Sequence, residues 1–215
     1  MTARFDFGAM APRDRYKMLC AAVIPRPVAW ITSVNPEGVV NAAPFSFFNV
    51  FGEDPALVII GINRRDGGAV KDTVTNIEAA GAFTVNIADT PLVDAMVETA
   101  AAFPPDVSEP EAVGLALEPG VSVAVPRIAA APVSLECTLF ELKALGPERH
   151  LVMGEVSMLL ARDGLFDETT MRIDEAQVDP VARLYGTSYA ALGEIYARPI
   201  PQWETLTKKT ADGGA

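Results

Sequence analysis

The tightest constraint on this chain is how its strand-like runs are joined. "NPEG" at 35–38 is a turn signal, proline second and glycine fourth, between runs at 28–34 and 39–46. Gly146-Pro147 stands in the same way between 133–144 and 149–161. Links this short make antiparallel hairpins, because a parallel pair needs a much longer crossover. "ALVIIGI" at 56–62 is a continuous run of strand length, "FTVNIA" at 83–88 alternates, and 121–125 reads as a further strand. Helical patterns are fewer. One follows Lys71, with Asp72 or Thr73 as N-cap and Gly81 as stop; one spans 92–102; a short one falls within the Pro- and Glu-rich stretch 103–120. Helices that do not alternate one-for-one with strands argue against a doubly wound parallel sheet. The pattern predicts a mainly β fold, an antiparallel β-barrel, closed or partly split, with helical insertions.

The 215 residues fit one domain, 1–215, with its core over about 20–195 and a frayed tail at 204–215. A formal net charge of −11 argues against a nucleic-acid or anionic-membrane binder, while leaving room for a local basic pocket. Two distant cysteines, Cys20 and Cys137, without a CxxC, suit reduced thiols and give no metal signature. The first ten residues carry charges where a signal peptide needs an apolar core, and no apolar run is long enough to span a bilayer. The expectation is a cytoplasmic protein.

Metal and hydrolase chemistry find no support. His150 is the one histidine, no metal ligand set is expected, and neither GxSxG nor a Walker A motif occurs. Three segments carry other chemistry. In "RRDGGAVKDT" (64–73), Arg64, Arg65 and Lys71 bracket a glycine pair that leads into a helix N-terminus. That combination reads either as a phosphate receiver or as a solvated loop with an ordinary cap. In "NAAPFSFFN" (41–49), three phenylalanines surround Ser46, and Pro44 interrupts ladder pairing. The segment is a buried aromatic strand or a cradle for a planar heterocycle. In "ERHLVMGEV" (148–156), alternation puts His150, Val152 and Gly154 on one face. His150 is then a rim residue or faces a ligand above Gly154. Tyr185 and Tyr189 line a pocket or pack inside.

Taken in order, "PRPVAWITS" (25–33), "GVVNAAPFSFFNVF" (38–51), "PALVIIGI" (55–62), "KDTVTNIEAAGAFTVNI" (71–87), "ERHLVMGEV" (148–156) and "VARLYGTSY" (181–189) resemble the flavin reductase-like family of FMN-binding split-barrel proteins. The resemblance implies a six-stranded antiparallel Greek-key split barrel that forms a homodimer, with FMN near the subunit interface. It puts Ala43, Ser46, Phe47, Phe48 and Asn49 on the isoalloxazine and ribityl chain, and Trp30, Thr32 and Ser33 alongside the cofactor. Arg64, Lys71, Asp72 and Thr73 fall where the family gathers the phosphate. His150 falls near the nicotinamide or second substrate, and Tyr185 on the same rim.

The implied function is an FMN-dependent oxidoreductase, an NAD(P)H:flavin reductase with NADH or NADPH as donor and a partner oxygenase among the candidate acceptors. The cofactor carries the hydride chemistry, so no acid–base cluster is needed. An FMN-binding electron carrier or flavin store is the second reading, and a β-barrel binder without flavin the third.

Overall fold

The computed structural model describes residues 2–203. The tail expected at 204–215 lies outside the described residues. Seven strands form the main sheet: β1 (Ala29–Val34), β2 (Val40–Phe45), β3 (Phe48–Glu53), β4 (Ala56–Asn63), β5 (Ala82–Ile87), β6 (Val133–Leu145) and β7 (Arg149–Ala161). Their spatial order is β2-β1-β5-β6-β7-β4-β3, and every neighbouring pair is antiparallel. β2 and β3 lie at opposite ends of that order, yet only Ser46 and Phe47 separate them in the chain. A link of two residues forces the sheet to roll until its ends meet. The Gly61 amide donates to the Phe47 carbonyl at 2.7 Å, which carries the β3–β4 ladder one step into that link.

The seam also accounts for a difference from expectation. Seven strands stand where six were expected, because the seam divides 40–53 between the two edges of the sheet. Pro44, which has no amide hydrogen to give, falls on the end strand β2, where the ladder tolerates it.

Both expected hairpins form. β1 pairs with β2 from Ala29↔Phe45 to Val34↔Val40, and β6 pairs with β7 across the Gly146-Pro147 link. Asn35 closes the first turn, its Oδ1 accepting from the Val39 amide at 2.8 Å. The segment 121–125 is not a strand. Its backbone amides turn onto one carboxylate instead: Glu136 on β6 accepts from the amides of Val121 at 2.7 Å and Ser122 at 2.5 Å. Satisfying those donors with a side chain removes the need for a ladder.

Helices α1 (Pro12–Ala22), α2 (Asp72–Ala80), α3 (Val93–Glu98) and α4 (Glu109–Ala112) surround the sheet. α2 buries Val74 and Ile77, one turn apart, against the barrel interior formed by Ile31, Val58, Ile60 and Phe83. It stops where Gly81 takes the left-handed conformation, φ 66°. The pattern expected to be helical over 92–102 is shorter, ending at Glu98. A second apolar cluster lies on the other face of β1, where Trp30 packs with Met96 and Ile128.

Candidate functional site

A groove with two lobes runs along the seam between β2 and β4, and Pro44, Asn63 and Ala100 line both lobes. The first lobe, about 430 Å³, lies at the N-terminus of α2. No side chain caps that helix; the Val74 amide turns back to the Lys71 carbonyl at 3.0 Å, which leaves the Asp72 and Thr73 amides to be satisfied from outside the helix. Arg64, Arg65 and Lys71 surround it. Arg65 is paired with Asp72. Arg64 Nη1 donates to the Gly68 carbonyl at 3.0 Å, while its Nε is buried and lacks a hydrogen-bond partner. Burial, and then the nearby Arg65, lower the Lys71 pKa; Asp72 opposes them. The Lys71 ammonium also stands 5.7 Å from the Phe45 ring centroid.

A polar chain fixes the wall of this lobe. Thr73 Oγ1 donates to Asn41 Oδ1 at 2.9 Å, and Asn41 Nδ2 donates to Glu109 Oε1 at 2.6 Å. Glu109 Oε2 accepts from the Ala42 amide at 3.0 Å. Burial pushes the Glu109 carboxyl above its ordinary value, against the pull of these hydrogen bonds. The stretch 103–120 thus reaches the groove through two residues, Phe103 at its start and Glu109 on α4.

The second lobe, about 450 Å³, lies between α1, the Phe45–Phe47 seam and the loop 183–189. Arg26 ties these pieces together. It donates to the carbonyls of Cys20 at 2.6 Å, Val23 at 2.7 Å and Leu184 at 2.9 Å, with Ser46 Oγ at 3.5 Å. Arg149 lies 4.3 Å from the Phe47 centroid and 5.9 Å from that of Tyr16, and donates to the Gly61 carbonyl at 3.1 Å. Arg183 stacks on Tyr189 and bonds its hydroxyl.

Of the residues expected at a site, Ala43, Arg64, Lys71, Asp72 and Thr73 line the first lobe, and Ser46, Phe47 and Tyr185 the second. The others stand behind the lining. Trp30 is fully buried and donates to Thr99 Oγ1 at 3.0 Å, and Thr99 is what reaches the groove. Thr32 turns away to the Pro126 carbonyl at 2.6 Å. Ser33 is buried between Asn41 and Asn76. Phe48 packs on the barrel core, and Asn49 Oδ1 accepts from the next amide, that of Val50, at 2.9 Å.

His150 pairs with Ile62 on β4, which puts it on the core-facing side of β7 rather than in the groove. Gly154 does not leave the expected room for a ligand either, because the Phe83 ring and Cys137 fill the space above it. One position before His150, Arg149 lines the second lobe. Arg149 and Arg26 lie inside quoted motifs and were within reach of the alternation rule; nothing in the sequence flagged Glu109, Asn63 or Tyr16.

Residues 21–178 match the family model described as flavin reductase like domain. An uncharacterized protein of Aquifex aeolicus is 36% identical over 180 residues, 83% of this chain and 91% of that one. Among solved structures, nitrilotriacetate monooxygenase component B from Bacillus cereus aligns with TM-score 0.88 at 35% identity, covering 92% of this chain and 99% of that chain. The Pseudomonas fluorescens 2-nitrobenzoate 2-nitroreductase NbaA aligns with TM-score 0.84 at 34% identity, covering 94% and 98%. A Shewanella frigidimarina protein with a split barrel domain shares the fold at 22% identity and TM-score 0.79, covering 93% and 100%.

Proposed function

The chain belongs to the flavin reductase-like family, and on that premise we propose that it is an FMN-dependent oxidoreductase reduced by NADH or NADPH. One observation carries the choice of FMN. In a chain of net charge −11, the first lobe gathers Arg64, Arg65 and Lys71 at an uncapped helix N-terminus, with the Arg64 Nε buried and lacking a partner. An orphaned guanidinium nitrogen in a lobe that also takes in a helix N-terminus without a side-chain cap fits a phosphate. On this reading Arg64, Lys71, Thr73 and the α2 amides hold the phosphate, and Ala43, Ser46 and Phe47 hold the ring system along the seam. A bound flavin supplies the hydride and electron transfer.

The residues of the chain do the rest. Phe47 and Tyr16 supply ring walls to the second lobe, and the Arg26 bonds keep α1 and the loop 183–189 in place beside it. Thr99, held by Trp30, and Asn41, held by Glu109, fix the walls of the first lobe. His150 backs the strand that presents Arg149.

The similarity to a monooxygenase component supports a partner oxygenase as acceptor. Val50 and Phe51, exposed on the end strand β3, support a homodimer, since apolar residues on a sheet edge ask to be covered. A cytoplasmic setting accords with described helices that are all too short or too polar to cross a membrane.

The test is spectroscopic. Purified protein is expected to take up FMN and, under anaerobic stopped flow, to bleach it on mixing with NADH or NADPH. FMN uptake without bleaching by either donor would make the protein a carrier or store, and no uptake would remove the flavin reading.

A further inference from the structure

Resting on that flavin reading, we propose that the second lobe takes a planar aromatic anion, a ring bearing a carboxylate, as the second ligand of the site. Lys17, Arg26, Arg149 and Arg183 line this lobe, and among the described residues no aspartate or glutamate does. In a chain with 28 acidic and 17 basic residues that segregation needs a cause. Lys17 is answered at the surface by Asp14, at 3.2 Å. The three guanidinium groups are not answered: their partners are the Cys20, Val23 and Leu184 carbonyls for Arg26, the Gly61 carbonyl for Arg149, and Tyr189 with the Gly186 carbonyl for Arg183. No described carboxylate forms an ion pair with any of them.

Arg26 is buried and Arg149 and Arg183 are half-buried; charge drawn out of water without a counter-charge is costly, and a ligand carboxylate would offset that cost. A guanidinium fork also matches a carboxylate in two parallel hydrogen bonds. The rest of the lining sets the shape of the ligand. Tyr16, Phe47, Tyr185 and Tyr189 supply rings to the lining, and Arg149 and Arg183 lie over three of them. Flat walls beside a cation select a flat anion over a branched or aliphatic one.

The first lobe is different in kind. Asp66, Asp72 and Glu109 stand among its cations, and Arg65 is already paired with Asp72. The first lobe therefore suits the phosphate, and the second takes the carboxylated ring against the flavin ring system that Ser46 and Phe47 carry. A diphosphate, as in a dinucleotide, is the other anion that the second lobe's cations could attract, and the experiment includes it.

FMN-loaded wild-type protein is titrated with benzoate, benzamide and ADP, read by the flavin absorbance change and by heat of binding. Benzoate is expected to bind at least about tenfold more tightly than benzamide, its uncharged counterpart. Arg149→Met is expected to lose at least about tenfold in benzoate affinity and less than about twofold in benzamide affinity. Arg183→Met provides the same comparison if the first variant does not fold. Equal affinity of the wild type for benzoate and benzamide overturns the proposal without any variant. Tighter binding of ADP than of benzoate overturns it as well, by assigning the cations to a diphosphate. A wild type that takes up no FMN overturns the flavin reading itself, a result distinct from FMN uptake without a preference for benzoate.

Discussion

Glu136 shows how much one side chain can organise. It is fully buried on β6, and its carboxylate accepts from the Val121, Ser122 and Val123 amides and from Ser122 Oγ at 2.6 Å. Burial alone would raise its pKa, but these hydrogen bonds outweigh burial and hold it below the ordinary glutamate value. A carboxyl with a depressed folded pKa stabilises the fold above its unfolded pKa, and that contribution is lost as pH falls through the folded value. Glu136→Gln is accordingly expected to lose about 2 kcal/mol at pH 7, measured by urea unfolding. The gap to wild type should close as pH falls below about 4, the unfolded glutamate range. A gap independent of pH would show that the charge is not what holds 121–125. Gly120 belongs to the same device, since a Cβ there would come within 2.7 Å of the Val125 carbonyl.

At the scale of elements, β7 is where pattern reading and packing part company. Alternation correctly put His150, Val152 and Gly154 on one face. It could not say which face met solvent, because a strand with apolar residues on both sides gives no such signal. The register with β4 settles it: Val152 pairs with Ile60, Gly154 with Val58, and both partners are core residues. Gly154 is the place where the Phe83 ring crosses the strand, and an added Cβ would meet Phe83 Cε1 at 2.8 Å and Cys137 Cβ at 3.1 Å. Gly154→Ala is expected to cost about 2 kcal/mol by thermal or urea unfolding. Combined with Phe83→Leu, it should cost less than the two single changes summed, because the smaller side chain leaves space for the methyl group. Strict additivity would mean that the glycine serves something other than this crossing.

Over the whole molecule, the hairpins, the barrel and the cationic loop were legible because each rests on local chemistry: a Pro–Gly turn, a run of β-branched residues, arginines around a glycine pair. The two-residue seam was not legible in "NAAPFSFFN": Pro44 suggested an interrupted ladder but pairs with Trp30, and only the closed sheet shows that this stretch joins both edges. Long-range partners were not legible. Glu109 reaches Asn41 and Ala42 across more than sixty positions, and Trp30 acts on the groove only through Thr99. Those pairings depend on how the barrel brings distant segments together, which no local pattern encodes. The charge pattern does make one statement: in an acidic molecule, the second lobe is lined by four cations and, among the described residues, by no carboxylate. The central claim is that the first lobe holds a phosphate, and it is tested most directly by calorimetric titration of FMN and riboflavin into wild type and Lys71→Glu. The account predicts that the substitution weakens FMN by about 30-fold or more and riboflavin by no more than about threefold. Equal losses for both ligands would contradict it.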